Sequence, residues 1–258
     1  MSFADLHHGD RPLVLPNAWD VGSALAMLAA GFAAVGTTSL GVAVSHGLAD
    51  ATRATRDATY TLARALADLP CWVSVDVEDG FDDDPDRVAA YVERLSVSGS
   101  GVDGVNLEDS TGGALVDMDR HAAKIAAVKE RCPELFVNAR IDTFWLGQED
   151  LPATLARAAA YVAAGADGVF VPGRLDAETI RAVADAVPVP LNVLAGPAYG
   201  IERLAELGVR RISTGSLPYR AALDAAVGVG RAVREGQPLP DATPYSVVQR
   251  RVAGRSAG

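Results

Sequence analysis

Short apolar runs alternate with stretches of helical periodicity along almost the whole chain. The eight runs span residues 13–16, 32–37, 72–77, 102–107, 135–139, 167–171, 189–194 and 209–214. Most are apolar throughout rather than alternating, as expected for strands buried on both faces of a parallel sheet. Eight strand–helix units in 258 residues predict a TIM (β/α)8 barrel. An open doubly wound sheet is the alternative, but no GxGxxG motif follows the first run to support it.

Helices are predicted in the segments that separate these runs. The predicted spans are 19–30, 55–69, 85 to about 98, 117–131, 150–164, 176–186, 199–207 and 218–234. The barrel is therefore expected to occupy residues 1–235, and residues 236–258 form a C-terminal extension. Pro244 to Val248 predicts the start of an added helix in this extension. That helix would pack on a neighbouring subunit of a homo-oligomer, a dimer or tetramer, and a frayed terminus is the open alternative.

The charge balance of the chain excludes several classes of partner. The net charge is −10, and Lys124 and Lys129 are the only lysines. Nucleic acids and anionic membranes need clustered basic residues, so neither is expected as a partner. No apolar run approaches the ~18 residues of a membrane span, and no signal peptide is recognisable, which predicts a cytoplasmic protein. Cys71 and Cys132 are the only cysteines and are expected to be reduced structural thiols.

Acidic and basic residues gather where three successive strands end. Asp76 and Glu78 follow the third predicted strand, Glu108 follows the fourth, and Arg140 follows the fifth. Active sites of TIM barrels lie at the carboxyl ends of the strands, so these side chains should share one site. Asp76 and Glu78 are two residues apart, so in an extended segment they would point to the same side. Buried acids need compensation, for which a divalent cation is the commonest solution.

The residue types in this set indicate how a ligand would be held. Carboxylate oxygens favour a hard cation, Mg²⁺ or Mn²⁺. An arginine opposite such an ion favours a small substrate that carries a carboxylate and a second oxygen, as 2-oxo and 2-hydroxy acids do. A metal can stabilise the enolate of such a substrate. Two structural alternatives stay open: Asp76 and Glu78 could cap the next loop, and Glu108 could simply form a buried ion pair with Arg140.

The remaining polar residues carry weaker signals. His7, His8 and His121 are predicted to lie on the surface, whereas His46 falls in a loop on the active face and stays open. The three acids from Asp82 to Asp84 predict a solvated loop that caps the next helix.

Seven short segments carry a family resemblance. They are residues 16–20, together with Ala24, and residues 30–32, 47–50, 75–81, 104–109, 138–142 and 163–167. In this order, and at these strands, they resemble the isocitrate lyase/phosphoenolpyruvate mutase superfamily over nearly the whole barrel. The resemblance implies a Mg²⁺ site, a small carboxylate substrate and a TIM barrel.

The resemblance also implies roles for individual residues. The metal-binding acids would be Asp76, Glu78, Glu108 and Asp50. The substrate-binding residues would be Trp19, Thr38, Ser39, Leu40, Asp76, Arg140 and Asn192. Thr38 to Leu40 falls where the family binds the substrate carboxylate through backbone N–H groups, although the glycine usual there is missing. Arg140 matches the arginine that binds the substrate carboxylate, and Asn192 matches an asparagine on the substrate side.

The loop after the fourth strand departs from the family pattern. Isocitrate and methylisocitrate lyases carry Lys-x-Cys-Gly-His there, and phosphoenolpyruvate mutases carry a lysine and an asparagine. Residues 110–117 of this chain contain no lysine, cysteine, histidine or asparagine. The prediction is a carbon–carbon lyase that uses Arg140 and Glu108, by retro-aldol cleavage or oxaloacetate-type decarboxylation. One alternative is a P–C bond hydrolase or mutase, for which Thr111 is the candidate loop residue, and another is a 2-oxoacid-binding barrel without fast catalysis.

Overall fold

The computed structural model describes residues 2–96 and 101–253, and a parallel sheet of nine strands forms its centre. The strands of this sheet are β1 Leu13–Leu15, β2 Asn17–Ala18, β3 Ala34–Thr37, β4 Trp72–Asp76, β5 Val102–Glu108, β8 Phe136–Arg140, β9 Gly168–Val171, β10 Leu191–Leu194 and β11 Val209–Ser213. A separate hairpin, β6 Ser110–Thr111 and β7 Ala114–Leu115, follows β5. All eight predicted strands are present, and the predicted TIM barrel is confirmed.

The first predicted strand is divided in two, and this division closes the barrel. Pro16 separates β1 from β2 and has no N–H group to donate to a neighbouring strand. β1 pairs with the last strand, β11, whereas β2 pairs with β3. The first strand therefore joins both ends of the sheet.

The side chain of Asn17 stabilises this closure through hydrogen bonds. Its Nδ2 donates to the carbonyl oxygen of Thr37 at 2.7 Å. Its Oδ1 accepts hydrogen bonds from the backbone N–H groups of Thr214 and Gly215, both at 3.0 Å. One buried carboxamide thus links the first, second and last strands of the barrel at the level of their carboxyl ends.

Helices surround the sheet. They are α1 Val21–Ala29, α2 Ser39–Ser45, α3 Arg56–Leu66, α4 Pro85–Ser96, α5 Met118–Arg131, α6 Leu151–Ala163, α7 Ala177–Ala186, α8 Ile201–Glu206, α9 Leu217–Glu235 and α10 Tyr245–Ala253. Aspartates cap α1, α5, α6 and α7 by accepting a backbone N–H of the first turn. The short helix α2 was not predicted. The predicted end of α4, at residues 97–98, lies outside the described residues.

The C-terminal segment forms the added helix that the sequence predicted. α10 packs beside α1 of the same chain. The preceding helix, α9, is exposed along most of its length, including the apolar side chains of Leu223, Val227 and Val233. Packing of this extension on a neighbouring subunit stays a prediction. Among the described helices, none has the combination of length and apolar composition that a membrane span requires.

Two histidines are buried, so the surface prediction for them is wrong. A 3-10 helix, Ala4–His8, places the ring of His7 on Phe136, with the ring centroids 4.4 Å apart. His121 lies on the inner face of α5, in edge contact with Tyr161. For His7 the error arises because the sequence does not reveal that the N-terminal segment packs against the barrel. His8 is exposed as predicted.

Burial of these two rings makes stability depend on pH. It lowers the pKa of His7 to about 4 and that of His121 to about 3, whereas both rings titrate near 6.5 in the unfolded chain. Below pH 6.5 the unfolded chain therefore binds more protons than the folded protein, and stability falls. We expect each histidine to remove roughly 1.5–2 kcal/mol from the free energy of unfolding between about pH 7.5 and about pH 5. Urea unfolding of wild type and of His7→Phe/His121→Phe measures this loss. The double variant should lose less, whereas His8→Gln should follow wild type, and equal slopes for all three would refute the assignment.

Candidate active site

A cavity of about 650 Å³ opens at the carboxyl ends of the barrel strands. Three of the predicted acids, Asp50, Asp76 and Glu108, line it together with Arg140. Its apolar walls include Leu40, Trp145, Leu146, Phe170 and Pro172. The structure thus brings the acids and the arginine from three strand ends and one loop to a single cavity.

Arg140 is held by two carboxylates. Its Nη1 lies 2.7 Å from Oε2 of Glu108, and its Nε donates to Oδ1 of Asp142 at 2.7 Å. The guanidinium also lies 5.6 Å from the ring centroid of Trp145. Burial alone would lower the pKa of Arg140, but the charges of Glu108 and Asp142 raise it above its ordinary value. The buried ion pair weighed as an alternative therefore exists, and both of its members line the cavity.

Glu108 experiences opposing influences. Burial raises its pKa well above the ordinary value for a glutamate, although the charge of Arg140 acts in the opposite direction. The charge of Asp76 adds to the increase. The ion pair with Arg140 therefore does not fully compensate the desolvation of the Glu108 carboxylate.

Asp76 and Asp50 form the acidic side of the cavity. Oδ2 of Asp76 accepts a hydrogen bond from the backbone N–H of Ser39 at 3.3 Å. Burial raises the pKa of Asp76, Arg140 lowers it, and the charge of Asp50 raises it further. Oδ1 of Asp50 is buried and has no hydrogen-bond partner among the described residues. A buried carboxylate oxygen without a donor, beside a second carboxylate, is an arrangement that a cation or its bound water would satisfy.

Glu78 does not point into the cavity beside Asp76, so the same-side expectation is wrong. β4 ends at Asp76, and Glu78 has a left-handed backbone with φ of 48°. Its carboxylate accepts hydrogen bonds from the hydroxyl of Thr55 and from the backbone N–H of Arg53, the latter at 2.9 Å. Side chains two positions apart share a face only while the backbone is extended. Here the strand ends at Asp76, so the backbone is no longer extended at Glu78. A role for Glu78 in metal binding stays a prediction.

The acids do not form a closed metal cage. In residues 2–96 and 101–253, no group of three or more histidine, cysteine or acidic side chains is arranged to hold a metal ion. The contacts explain this, because Glu78 is bound to Thr55 and Glu108 to Arg140. Mg²⁺ usually keeps several waters and needs only one or two protein carboxylates. The available oxygens of Asp76 and Asp50 fit such a hydrated ion.

The predicted carboxylate-binding segment also borders the cavity. Thr38, Ser39 and Leu40 all line it. Ser39 and Leu40 belong to the first turn of α2, so the N-terminal end of this helix faces the site. However, the N–H of Ser39 already donates to Asp76. This segment therefore holds the acid in place in the structure.

Two residues predicted on the substrate side do not line the cavity. Trp19 packs against the ring of Tyr219, with the ring centroids 5.3 Å apart. Asn192 is buried in the barrel interior, where its Nδ2 donates to the hydroxyl oxygen of Ser213 at 2.9 Å. Side chains of the same strand can lie at different depths in the barrel, and residue spacing alone does not reveal which depth reaches the ligand.

The loop after β5 is a small hairpin over the cavity. Gly112 and Gly113 form its turn, with φ of 56° and 80°, values that other residues rarely adopt. Ser110 and Gly113 line the cavity, whereas Thr111 does not. The hydroxyl of Ser110 donates to Oδ2 of Asp142 at 2.5 Å. The hairpin is thus attached to the same aspartate that holds Arg140.

The base of the hairpin is anchored by Asp109. Its Oδ2 accepts hydrogen bonds from Nη1 of Arg157 at 2.9 Å and from the hydroxyl of Tyr161 at 2.8 Å. Nη2 of Arg157 also donates to the carbonyl oxygen of Val116 at the end of the hairpin. The two ends of the loop are therefore fixed to α6, and only its tip is free of these contacts.

The fold and the site agree with a match to a known family model. Residues 3–234 match the model described as phosphoenolpyruvate phosphomutase. The chain belongs to this family. The resemblance to the isocitrate lyase/phosphoenolpyruvate mutase superfamily is thereby confirmed.

Relatives of this family member span several levels of similarity. The uncharacterised protein Rv1998c of Mycobacterium tuberculosis H37Rv is 53% identical over 98% of this chain and 96% of its own length. The 2-methylisocitrate lyase of Bacillus subtilis strain 168 is 35% identical over 69% of this chain and 61% of its own length. A crystal structure from Burkholderia cenocepacia J2315, provisionally assigned as a lyase or mutase, is 34% identical with a TM-score of 0.88, and the match covers 98% of this chain and 94% of that one.

This member of the phosphomutase family has further cavity residues that the sequence analysis missed. Arg220, in α9, lines the cavity mouth and is exposed. Arg220 lies in the first turns of α9, directly after the last strand, and this position could have predicted that it reaches the cavity. Asn106 also lines the cavity, and its spacing of two from Glu108 placed it inward. Arg211 does not line the cavity but is fully buried inside the barrel, a position that its residue type does not predict.

Proposed function

We propose that the protein is a Mg²⁺-dependent carbon–carbon lyase that acts on a small 2-oxo carboxylate. Oxaloacetate-type decarboxylation is the reaction that the residues support best. The observation that carries the proposal is the meeting of Arg140 with Asp50, Asp76 and Glu108 around one cavity. An arginine and a set of carboxylates in one small site suit a ligand that has a carboxylate and a metal-binding oxygen.

Arg140 is oriented to bind the carboxylate of the substrate. Asp142 and Glu108 engage its Nε and Nη1, and Nη2 makes no hydrogen bond to the described residues. A guanidinium fixed on one side presents its remaining donor in a set direction. The rings of Trp145 and Phe170 lie beside the guanidinium, with centroids 5.6 Å and 5.9 Å from its central carbon.

The acids in and around the cavity would hold Mg²⁺. Asp76 is the central ligand in this proposal, with Asp50 beside it and Glu78 and Glu108 as the surrounding acids. When bound, the ion supplies a Lewis acid for the negative charge that develops on the 2-oxo oxygen. Three of these four carboxylates have pKa values raised first of all by burial, so a bound cation would favour their ionised forms.

The composition of the hairpin favours decarboxylation over retro-aldol cleavage. A retro-aldol step needs a base for the hydroxyl proton and an acid for the departing carbanion. Residues 110–116 contain no titratable side chain. In decarboxylation, the bond between C3 and the C4 carboxylate breaks, CO₂ leaves, and the electron pair enters the enolate of pyruvate. A proton from water then completes pyruvate, so no acid in the hairpin is required.

Arg220 would favour the entry of an anionic substrate. It is exposed at the cavity mouth of a chain whose net charge is −10. A local positive charge at the mouth raises the local concentration of anions even when the whole protein is acidic. The carbon–carbon lyase class is also supported by the similarity to the 2-methylisocitrate lyase of B. subtilis.

A pyruvate-release assay tests the proposal. We expect Mg²⁺-dependent release of pyruvate from oxaloacetate, faster than from phosphonopyruvate or 2-methylisocitrate, and its loss on addition of EDTA. The rate must exceed the decarboxylation that Mg²⁺ causes without protein. Preferred turnover of phosphonopyruvate would replace the proposal with P–C bond chemistry. Binding of oxalate without turnover of any of the three would replace it with a 2-oxoacid-binding barrel.

A further inference from the structure

A layer of polar side chains lies inside the barrel, at the floor of the cavity and directly below it. Barrel interiors are usually filled by layers of branched apolar residues. Here the buried polar residues are Ser74, Asn106, Asn138, Asn192, Arg211 and Ser213. Ser74, Asn106 and Asn138 each precede a cavity residue by two positions, namely Asp76, Glu108 and Arg140. Side chains two apart on a strand share a face, so this layer supports the cavity floor.

Arg211 is the only cation in this layer; no carboxylate of the described residues forms a salt bridge with it, although the charge of Asp76 acts on it from a greater distance. Its Nη2 donates to Oδ1 of Asn106 at 3.1 Å and to the hydroxyl oxygen of Ser74 at 3.3 Å. Its Nη1 is buried and has no hydrogen-bond partner in the described part of the chain. Burial lowers the pKa of Arg211 to about 9, so the guanidinium still carries its charge at pH 7. A buried charge without a paired acid destabilises a fold, which argues for a functional role.

The contacts of Arg211 fix the orientation of Asn106. Oδ1 of Asn106 accepts hydrogen bonds from Nη2 of Arg211 and from Nδ2 of Asn138, the latter at 2.8 Å. A rotated carboxamide would set its NH₂ group against two donors, so this orientation is strongly preferred. Asn106 lines the cavity, and its Nδ2 makes no hydrogen bond to the described residues. One donor therefore remains for a ligand.

We propose that Asn106 is a further ligand-binding residue, whose Nδ2 donates a hydrogen bond to an oxygen of the bound 2-oxo carboxylate. Arg211 is the positioning residue that holds the carboxamide in this orientation from below. The chemical class of the ligand rests on the proposed function. The neutral Nδ2 donor of Asn106 and the positive charge of Arg211 below it would together favour binding of an anionic ligand oxygen at the floor of this acidic cavity.

Calorimetric titration with oxalate in the presence of Mg²⁺ tests the role of Asn106 in the full chain. Asn106→Asp keeps an oxygen for Arg211 and Asn138 but replaces the donor with an acceptor. We expect its oxalate affinity to fall at least about tenfold, since a hydrogen bond to a charged group is lost. Ser74→Ala removes the other contact of Arg211 Nη2 without touching the cavity lining, and its affinity should change less than about twofold.

Arg211→Met separates positioning from a structural role. Loss of a buried unpaired charge should leave the melting temperature unchanged or raise it, whereas oxalate affinity should fall about tenfold. If Arg211 acts through Asn106, Arg211→Met should have little further effect in an Asn106→Ala background, or in Asn106→Ser if the alanine variant does not fold.

The outcomes distinguish the two proposals. Wild-type affinity in Asn106→Asp overturns the ligand contact, and equal losses from Arg211→Met in both backgrounds overturn the positioning role. In either case the proposed function survives. Failure of the wild type itself to bind oxalate with Mg²⁺ overturns the proposed function and this inference with it.

Discussion

Asp76→Asn should bind Mg²⁺ at least about 100-fold more weakly than the wild type, because even groups that only support metal ligands contribute 10- to 100-fold. The variant keeps the shape of the side chain but removes the charge at the end of β4. Binding of oxalate in the presence of Mg²⁺ should be lost with it. The melting temperature should stay the same or rise, since burial raises the pKa of Asp76 and the neutral amide avoids the desolvation of a carboxylate.

Calorimetry with MgCl₂ and a thermal melt give both quantities for this variant. Asp119→Asn is the matched control, because it makes the same chemical change at an exposed position in the first turn of α5. The control should bind Mg²⁺ as the wild type does. Unchanged Mg²⁺ affinity in Asp76→Asn would remove the metal site from this strand end.

Arg140→Lys should weaken oxalate binding about 100-fold, because a planar fork is replaced by a single ammonium. The ammonium cannot contact Glu108 and Asp142 as Arg140 does and still present a donor to the ligand. One of these buried acids then loses its partner, so the melting temperature should also fall. Affinity for Mg²⁺ in the absence of oxalate should be retained, which distinguishes this variant from Asp76→Asn.

Arg131→Lys is the control for the arginine series. Arg131 is partly exposed, pairs with Glu93 at 3.2 Å and is not among the residues that line the cavity. Surface pairs of this kind contribute little, so both binding and stability should stay close to wild type. Oxalate affinity within about twofold of wild type in Arg140→Lys would leave Arg140 with a structural role only.

The barrel and the position of its site could be predicted from sequence because both depend on local patterns. Each apolar run marks a strand, and the carboxyl ends of parallel strands meet at one end of a barrel. Asp76, Glu108 and Arg140 therefore had to lie close together. The order of the segments that resemble the superfamily added the same conclusion independently.

Other features depend on contacts that local patterns do not contain. Glu78 turns away because the strand ends at Asp76, and the left-handed backbone at residue 78 has no signal in the residue type. Arg211 and Asn106 meet across the barrel although 105 positions separate them in sequence. His7 is buried only because the N-terminal 3-10 helix packs onto Phe136.

The division of the first strand at Pro16 affects how the barrel can fold during synthesis on the ribosome. The side-chain oxygen Oδ1 of Asn17 accepts a hydrogen bond from the backbone N–H of Thr214, which is synthesised 197 positions later. At about 5–20 residues per second, roughly 10–40 s of translation separate the two residues. Throughout that interval β11 does not yet exist, so β1 has no partner strand and the sheet cannot close into a barrel. The nascent chain therefore keeps an open sheet, exposed to aggregation or chaperones, until Thr214 and Gly215 have left the ribosome.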